Sequence, residues 1–319
     1  MSEQTLDVVV VSRSEPAEEI VVLDLAAAAG ASLPRFEPGA HVDVHLGPDL
    51  IRQYSLCGDP ADRSRYQLGI LLAAGSRGGS AAIHRDVHAG DHLRIGVPRN
   101  LFPLQAAASK TILIGGGIGV TPLLAMARHC AAHAKDFTLH YCARSRAKAA
   151  FLDVLEAAPL AAHSCLHLDD GPEAQRFLPE RDLPAPAAGT HLYVCGPAGF
   201  MEWVIGEAHR LGHPEAQIHR EYFEADVDTS GDAFEVKLAK SGKSVMVPAG
   251  VPIVKALAEI GVKVEVSCEQ GICGTCMCTV LEGVPDHRDN YLTDEEKAAN
   301  DQILVCCSRS KTPTLVLDL

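Results

Sequence analysis

Four cysteines in the last sixth of the chain have a spacing that could hold a metal cluster; they are Cys268, Cys273, Cys276 and Cys306. The pattern C-x4-C-x2-C-x29-C is typical of plant-type [2Fe–2S] sites. Gly271 and Gly274 lie between the first three cysteines, where the backbone must turn sharply and bring amide groups close to sulfur. The alternatives are buried free thiols and a zinc site, although zinc knuckles favour paired C-x2-C units. The spacing therefore predicts an electron-carrying cluster.

A glycine-rich turn in the middle of the chain could bind a pyrophosphate. It leaves a strand and enters a helix, and the amide groups of a helix N-terminus favour phosphate. Its candidate contacts are Gly115, Gly116, Gly117, Gly119 and Thr121. A second turn, Cys195-Gly196-Pro197, follows a later strand and would reach the carboxyl edge of the same sheet. Together the turns predict a dinucleotide site with Cys195 near the nicotinamide; the alternatives are glycines selected for packing and an ordinary buried thiol.

The choice between NADH and NADPH depends on Arg144 and Arg146, which follow the second strand of this region. An arginine in this place can meet a 2′-phosphate, but both side chains could equally be solvated at the start of a helix. The solvated interpretation is favoured, and it agrees with NADH.

Two segments near the N-terminus could bind a flavin nucleotide. The candidates on a predicted strand are Arg52, Tyr54, Ser55 and Leu56. Strand alternation places Ser55 on one face and the other three side chains on the opposite face. The candidates in a glycine-rich turn are Arg77, Gly78, Gly79 and Ser80. Each segment alone could be a surface strand or a turn, but an aromatic ring and a guanidinium suit a flavin phosphate, and a flavin converts hydride transfer into one-electron steps.

The elements that must position these groups change in kind along the chain. Short β-prone runs up to about residue 105, the first of them at Val8 to Val11, predict a closed antiparallel barrel. Strands and helices then alternate, with one of the helices expected near 148–157, which is the pattern of a parallel sheet. A small, polar, acidic linker at 225–232 precedes a β-grasp-like layout, with a hairpin of strands at Phe234 to Leu238 and Ser244 to Val247 and one helix. The predicted fold is multi-domain, with an antiparallel β-barrel flavin domain at 1–105, an NAD(H)-binding α/β domain at 106–225 and a β-grasp [2Fe–2S] domain at 232–319.

Composition limits the class of protein. The chain has 319 residues, of which 47% are hydrophobic, and this suits two or three domains with proper cores. It has no long apolar run and no basic-then-apolar leader, so a cytoplasmic protein is expected. Eleven cysteines in that compartment indicate metal or redox chemistry. The net charge of −13 argues against nucleic acid and anionic membranes as partners.

The chain resembles the phthalate dioxygenase reductase family, which includes the vanillate demethylase reductases, over essentially its whole length. The resemblance is carried by RxYSL at 52–56, SRGGS at 76–80, GGGIGVTP at 115–122, CGP at 195–197, CExGxCGxC at 268–276 and C-x-S-R at 306–309. It implies a C-terminal ferredoxin domain, FMN rather than FAD, NADH as the donor, and Phe223 against the flavin. It also implies a Rieske-type oxygenase that receives the electrons.

Two departures from the family pattern concern single contacts. Relatives often have a lysine in the strand before SRGGS, where this chain has Gly69 and three aliphatic residues, so one flavin contact is expected to be absent. The last ligand is doubled as Cys306-Cys307. Counting forward from Cys276 and back from Arg309 selects Cys306, and Cys307 stays the alternative.

The predicted function is an electron relay from NADH to FMN and through the cluster to an oxygenase. Thr121 and Ser55 are the candidates for orienting groups, and no general acid or base is required. Alternative acceptors are a cytochrome P450 or another ferredoxin-type protein. A flavin and iron–sulfur redox sensor is the alternative from a different class.

Overall fold

Two units make up the chain in the computed structural model, residues 1–221 and 222–319. The structure describes residues 4–47, 50–75, 78–224 and 227–319. The first unit contains the predicted barrel domain and residues 106–221 of the predicted nucleotide domain. The predicted division into three domains is finer than these two units and stays a prediction.

An antiparallel sheet closes into a barrel at the start of the first unit. Its strands are β1 (Thr5–Ala17), β2 (Ile20–Ala27), β3 (Ala40–Gly47), β4 (Leu50–Ser55), β5 (Tyr66–Leu71), β6 (His92–Gly96) and β7 (Arg99–Asn100). They pair in the order β4-β3-β6-β1-β2-β5, with β7 on β3. An isolated antiparallel bridge between Leu56 and Leu68 joins the end of β4 to β5 and closes the circle. The barrel prediction is confirmed, and one helix, α1 (Gly79–Asp86), follows β5.

Inward-facing aliphatic side chains fill the barrel. Val8, Leu23, Val42, Leu68 and Ile95 come from five different strands, and none has exposed surface. Each such side chain contributes roughly 1.5–3 kcal/mol through burial. The barrel is therefore held by its own core, independently of any ligand.

A five-stranded parallel sheet completes the first unit. Its elements are β8 (Lys110–Gly116), α2 (Val120–Ala132), β9 (Phe137–Ala143), α3 (Leu152–Leu155), β10 (Ser164–Leu168), α4 (Pro179–Asp182), β11 (Thr190–Cys195), α5 (Ala198–Arg210) and β12 (Ile218–Glu221). The strand order is β10-β9-β8-β11-β12, and every neighbouring pair is parallel. From β8 the chain first adds β9 and β10 on one side of the sheet and then adds β11 and β12 on the other side. The strand order therefore reverses between β8 and β11, and we call this place the switch point. The turns that follow β8 and β11 meet there, and ligands bind at this position in such sheets.

The connection after β9 differs from its prediction. A helix was expected near 148–157, but the structure has a 3-10 turn at Arg146–Lys148 and only the four-residue α3. Ala158 directly precedes Pro159, and the residue before a proline disfavours helical backbone. The helix must therefore end before Ala158. The short helix leaves room for β10, a strand that the sequence did not predict.

The second unit is a small mixed sheet crossed by one main helix. Its elements are β13 (Phe234–Leu238), β14 (Ser244–Val247), α6 (Ile253–Glu259), β15 (Met277–Glu282), β16 (Pro285–Asp286), α7 (Asp294–Ala299), β17 (Gln302–Leu304), β18 (Arg309–Ser310) and β19 (Thr314–Leu317). The strand order is β14-β13-β19-β15-β17, and β16 pairs separately with β18. β13 and β19 are parallel, whereas the neighbours on either side are antiparallel. The predicted β-grasp layout is confirmed. None of the helices in the described ranges is long and apolar enough to cross a membrane.

Two arginines tie most of the predicted linker to the second unit. Arg309 is 2% exposed and donates to the carbonyl oxygens of Asp232, Val251 and Pro248 at 2.9, 2.8 and 3.2 Å. Arg288 donates to the carbonyl oxygens of Asp228 and Ser230, both at 2.7 Å. Residues 227–232 are therefore part of this unit's hydrogen-bonded structure.

Replacing Arg309 by methionine is expected to destabilise the second unit by about 3 kcal/mol, because three carbonyl groups lose a charged donor. Hydrogen exchange followed by mass spectrometry would show opening of peptides from 232–319 increased on the order of 100-fold. Peptides from 4–221 serve as the internal reference, and the exposed Lys311→Met as the matched control. Equal exchange in R309M and K311M would contradict the assigned role.

Candidate nucleotide, flavin and cluster sites

The two predicted nucleotide-binding turns are in direct contact. Cys195 pairs in register with Gly115 across β11 and β8. A Cβ on Gly119 would lie 2.3 Å from the carbonyl oxygen of Cys195, a distance that no side chain tolerates. A Cβ on Gly196 would lie 3.0 Å from the Cα of Gly116. Glycine is therefore required here by close backbone approach, and the structure brings the two predicted turns together.

Open space remains on the ligand-facing side of the first turn. Gly117 has a positive φ of 55°, and a Cβ there would meet no atom within 4 Å. The 3-10 turn Gly117–Gly119 leads into α2, so its amide groups add to the positive end of that helix. This free backbone fits a pyrophosphate.

Two polar side chains of these turns are buried. Thr121 is 1% exposed and its hydroxyl donates to the carbonyl oxygen of Ile118 at 2.9 Å. That bond stabilises the turn itself, and an orienting role for Thr121 stays a prediction. Cys195 is fully buried, and burial, followed by the neighbouring Glu221, raises the pKa of its thiol well above the ordinary value. Cys195 therefore stands as a neutral thiol, and Pro197 after it is exposed at the start of α5.

An arginine and a helix N-terminus meet at the predicted flavin phosphate site. The side chain of Arg52 lies against Gly79, where a Cβ would be 2.3 Å from the Cγ of Arg52. Gly79 begins α1, and Gly78 precedes it with a positive φ of 93°. The Ser80 hydroxyl accepts the amide N–H of Ala73 at 3.2 Å. The site thus combines a guanidinium with amide groups of a helix start, whereas the predicted contact Arg77 lies outside the described residues.

The other flavin candidates on β4 and beyond are placed differently. Tyr54 is partly buried against the barrel core. Leu56 is a core residue without exposed surface, and its amide donates to the carbonyl oxygen of Ala40 at 2.8 Å. The isolated bridge from Leu56 to Leu68 explains this burial, and a contact of Leu56 with flavin stays a prediction. Phe223 is partly buried and belongs to the second unit, so its contact with flavin stays a prediction.

A carboxyl group that the sequence analysis missed faces the flavin strand. The hydroxyl of Ser55 donates to Oε2 of Glu221 at 3.4 Å. Glu221 ends β12 and pairs in register with Cys195. Burial raises the pKa of Glu221 to about 8, and the bond from Ser55 only partly opposes that shift. The sequence offered one signal, an acidic residue just before the predicted flavin contact Phe223.

Gly69, in the strand segment where relatives often have a lysine, is closely packed. A Cβ on Gly69 would lie 2.9 Å from both the ring of Phe151 and the methyl group of Thr121. Glycine lets the parallel-sheet part of the unit approach β5. The absence of one flavin contact from this segment stays a prediction.

The arginines considered for a 2′-phosphate are placed after β9. Arg146 forms a two-bond ion pair with Glu156, with distances of 2.7 and 2.8 Å. Arg144 is exposed. The pairing of Arg146 with an acidic neighbour supports the solvated interpretation and the choice of NADH.

The four predicted cluster ligands converge in the second unit. Cys268, Cys273, Cys276 and Cys306 are all buried, with 2–7% exposure. Cys268 and burial raise the pKa of Cys273, and Cys306 interacts with both Cys268 and Cys276. Four buried thiols that interact with one another are the donor set that a [2Fe–2S] cluster binds as thiolates, so these residues fit a cluster.

The interactions among these cysteines form one connected set. Cys268 interacts with Cys273 and with Cys306, and Cys306 also interacts with Cys276 and with Cys307. A [2Fe–2S] cluster divides its four ligands between two irons, so a connected set of four buried thiols suits such a cluster.

Cys306 and Cys307, the two candidates for the fourth ligand, interact with each other but differ in their other surroundings. The sulfur of Cys307 lies 2.5 Å from the position of a Cβ on Gly271 and near the hydroxyl of Ser308 at 3.7 Å. Cys306 instead interacts with two other predicted ligands. This supports Cys306 as the fourth ligand and gives Cys307 a packing role behind the loop.

Replacing Gly119 by alanine is expected to weaken NADH binding roughly tenfold, because the new methyl group must push the two turns apart. The dissociation constant for NADH, measured by fluorescence titration, checks this. Gly206→Ala in α5 is the matched control, since a Cβ there meets no atom within 4 Å. Unchanged NADH affinity in G119A would show that the turns do not form the site.

Glu221 is expected to make the stability of the first unit depend on pH. Its pKa is raised in the folded state to about 8, so folding retains a proton that the unfolded chain releases above about pH 4.5. The contribution of Glu221 to the free energy of unfolding is therefore fully present below about pH 4.5, and it is lost as the pH rises towards 8. Unfolding of flavin-free protein followed by Trp203 fluorescence should show a flatter pH dependence for Glu221→Gln than for wild type. Glu202→Gln, at an exposed position, should match wild type.

Comparison with known proteins places these sites in a family. The model of the oxidoreductase NAD-binding domain matches residues 113–205, and that of the 2Fe-2S iron-sulfur cluster binding domain matches residues 236–311. The vanillate O-demethylase oxidoreductase of Pseudomonas putida is 50% identical, over 98% of this chain and 100% of the relative.

Two solved structures are similar over 99% of this chain. Phthalate dioxygenase reductase, described as a modular structure for electron transfer from pyridine nucleotides to [2Fe–2S], is 36% identical with a TM-score of 0.75 and is covered over 98% of its length. An intact type IV self-sufficient cytochrome P450 monooxygenase is 35% identical with a TM-score of 0.87, and this chain spans 41% of it. The chain therefore belongs to the family of the vanillate O-demethylase oxidoreductases and phthalate dioxygenase reductase, which pass electrons from pyridine nucleotides to a [2Fe–2S] cluster.

Proposed function

We propose that this chain is the NADH-dependent reductase component of a Rieske-type aromatic oxygenase of the vanillate or phthalate class. The observation that carries the proposal is the presence of all three sites in one chain that matches such a reductase over that relative's whole length: contacting nucleotide turns, a flavin strand beside Glu221, and four converging cysteines. When bound, FMN accepts hydride from NADH and the [2Fe–2S] cluster carries single electrons.

The nucleotide would be held at the sheet's switch point. The proposed NADH contacts are Gly115, Gly116, Gly117, Gly119, Thr121, Cys195, Gly196 and Pro197. The free amides at Gly117 support pyrophosphate binding there. Cys195, as a neutral thiol, would supply a small apolar surface rather than a nucleophile.

The flavin would be held by the barrel. The proposed FMN contacts are Arg52, Tyr54, Ser55, Gly78, Gly79, Ser80, Arg77 and Phe223. Arg52 beside the start of α1 supports a terminal phosphate at this place. Because Glu221 retains its proton up to about pH 8, the pair that it forms with Ser55 can donate a hydrogen bond near the flavin at neutral pH.

The cysteines Cys268, Cys273, Cys276 and Cys306 would hold the cluster. All eleven cysteines of the chain are free thiols, which supports a reducing compartment and hence a cytoplasmic protein. A cytochrome P450 is the second candidate acceptor, favoured by the likeness to the self-sufficient P450 monooxygenase.

Replacing Cys273 by serine is expected to abolish NADH-driven turnover of a purified Rieske oxygenase, because the cluster loses a ligand. Reduction of ferricyanide by NADH should remain within about twofold of wild type, because that reaction needs only the flavin. Cys278→Ser and Cys307→Ser are the controls, since both should retain the visible absorption of the cluster.

Equal loss of ferricyanide reduction in C273S would contradict the division of roles between flavin and cluster. The acceptor is tested by supplying wild-type reductase with a vanillate-type oxygenase, a phthalate-type oxygenase or a P450. Turnover of the P450 alone would overturn the proposed partner and leave the electron relay intact.

A further inference from the structure

A buried carboxylate stands behind the cysteine loop of the second unit. Asp289 is 3% exposed and accepts the backbone N–H groups of Tyr291 and Leu292 at 3.2 and 2.8 Å. Its other oxygen accepts the hydroxyl of Ser308 at 3.4 Å. A buried carboxylate is costly unless hydrogen bonds satisfy it, so this one must have a structural or electrostatic use.

The segment that carries Asp289 holds the loop at two points. The amide of Asn290 donates to the carbonyl oxygen of Gly271 at 3.0 Å. The ring of Tyr291 lies against Gly274, where a Cβ would be 2.3 Å from the Cζ of Tyr291. Gly271 lies between the first two predicted ligands, and Gly274 lies between the second and third. We call residues 289–292 the brace.

The brace also contacts the segment that carries Cys306, the fourth predicted ligand. Ser308 is fully buried, lies two residues after Cys306, and receives the amide N–H of Arg288 at 3.2 Å on its hydroxyl. The carboxylate of Asp289 therefore connects the three-cysteine loop with the segment that carries Cys306. Any shift of Asp289 would move both halves of the ligand set.

Three basic side chains lie near Asp289, and among the described residues none of them donates a hydrogen bond to its carboxylate. The ring of His287 is 3.7 Å from Oδ1 of Asp289, but neither ring nitrogen has a hydrogen-bond partner among the described residues. The Lys297 ammonium donates to the backbone carbonyl oxygen of Asp289 at 2.8 Å. The guanidinium of Arg288 is turned to Asp286 and to the carbonyl groups of the linker.

We propose that Asp289 is a positioning residue for the cluster: it holds the cysteine loop through the brace, and its buried negative charge keeps the cluster's reduction potential low. The inference rests on the proposed function, in which the four cysteines hold a [2Fe–2S] cluster. A nearby negative charge opposes the arrival of an electron, and burial keeps solvent and salt from screening it. Asp289 would thus set how readily the cluster takes electrons and passes them on.

Asp289→Asn separates the two roles. The side-chain oxygen of asparagine can still accept the N–H groups of Tyr291 and Leu292, and its amide can donate to the hydroxyl of Ser308. The brace therefore stays bonded while the charge is removed. At a fixed potential, the ratio of reduced to oxidised cluster in holoprotein should rise on the order of tenfold, which is 59 mV for a one-electron couple.

Two further variants complete the experiment. Asp294→Asn removes an exposed charge from the first turn of α7, so its cluster potential should remain at the wild-type value because solvent screens that position. Asp289→Ala removes both charge and hydrogen bonds, and it should lose the visible absorption of the cluster several times faster than D289N during incubation with a chelator. Far-ultraviolet circular dichroism checks that each variant is folded.

The outcomes distinguish the inference from its premise. A cluster potential in D289N equal to that in D294N would overturn the electrostatic role. Retention of the cluster by D289A for as long as by wild type would overturn the positioning role. Absence of a [2Fe–2S] electron paramagnetic resonance signal from reduced wild-type protein would instead overturn the proposed function itself.

Discussion

Close approach of backbone to backbone at the sheet's switch point is the constraint on which the first unit depends. The carbonyl oxygen of Cys195 occupies the space that any side chain at position 119 would need. This contact fixes the ends of β8 and β11 side by side, and it leaves the amides of the first turn without side chains over them. β12 ends at the same carboxyl edge of the parallel sheet. Glu221 at its end therefore lies next to Cys195 and accepts a hydrogen bond from Ser55 of the barrel. The contact between the turns after β8 and β11 thus places the carboxyl edge of the parallel sheet beside β4, the predicted flavin strand.

The titratable groups at this edge are held neutral by burial rather than by partners. Burial is the largest cause of the raised pKa values of both Cys195 and Glu221. A neutral thiol and a protonated carboxyl group add no negative charge where a nicotinamide would approach, whereas an ionised pair would. The second unit uses the opposite solution, since Asp289 is surrounded by hydrogen-bond donors. The two units therefore handle buried acids differently, in keeping with hydride chemistry in one and cluster ligation in the other.

Much of this arrangement could be predicted from the sequence, because local rules and tertiary structure agree at the motifs. β13 and β14 match their predicted bounds, and the glycine turns contact each other as expected. β1 extends to Ala17, well beyond its predicted apolar run at Val8 to Val11, because its polar second half pairs with β2 at the barrel surface. Tyr54 and Leu56 pack on the same barrel core, in agreement with strand alternation, but the full burial of Leu56 could not be predicted, because it depends on the bridge to Leu68. Glu221 could not be predicted, because its raised pKa arises from burial by distant segments.

The second unit has its own core and its own polar framework, and both reach the predicted cluster ligands. Its core draws side chains from β13, α6 and β19, and it includes the sulfur-bearing residues Cys276 and Cys306. Arg309 and Arg288 hold the chain that enters the unit, and the brace holds the loop that carries three of the predicted ligands. Each of these interactions is made within residues 227–319. Loss of one predicted ligand would therefore act first on this unit's own core and hydrogen bonds, which is the physical reason to expect that a change at the cluster can be made separately from a change at the predicted nucleotide turns.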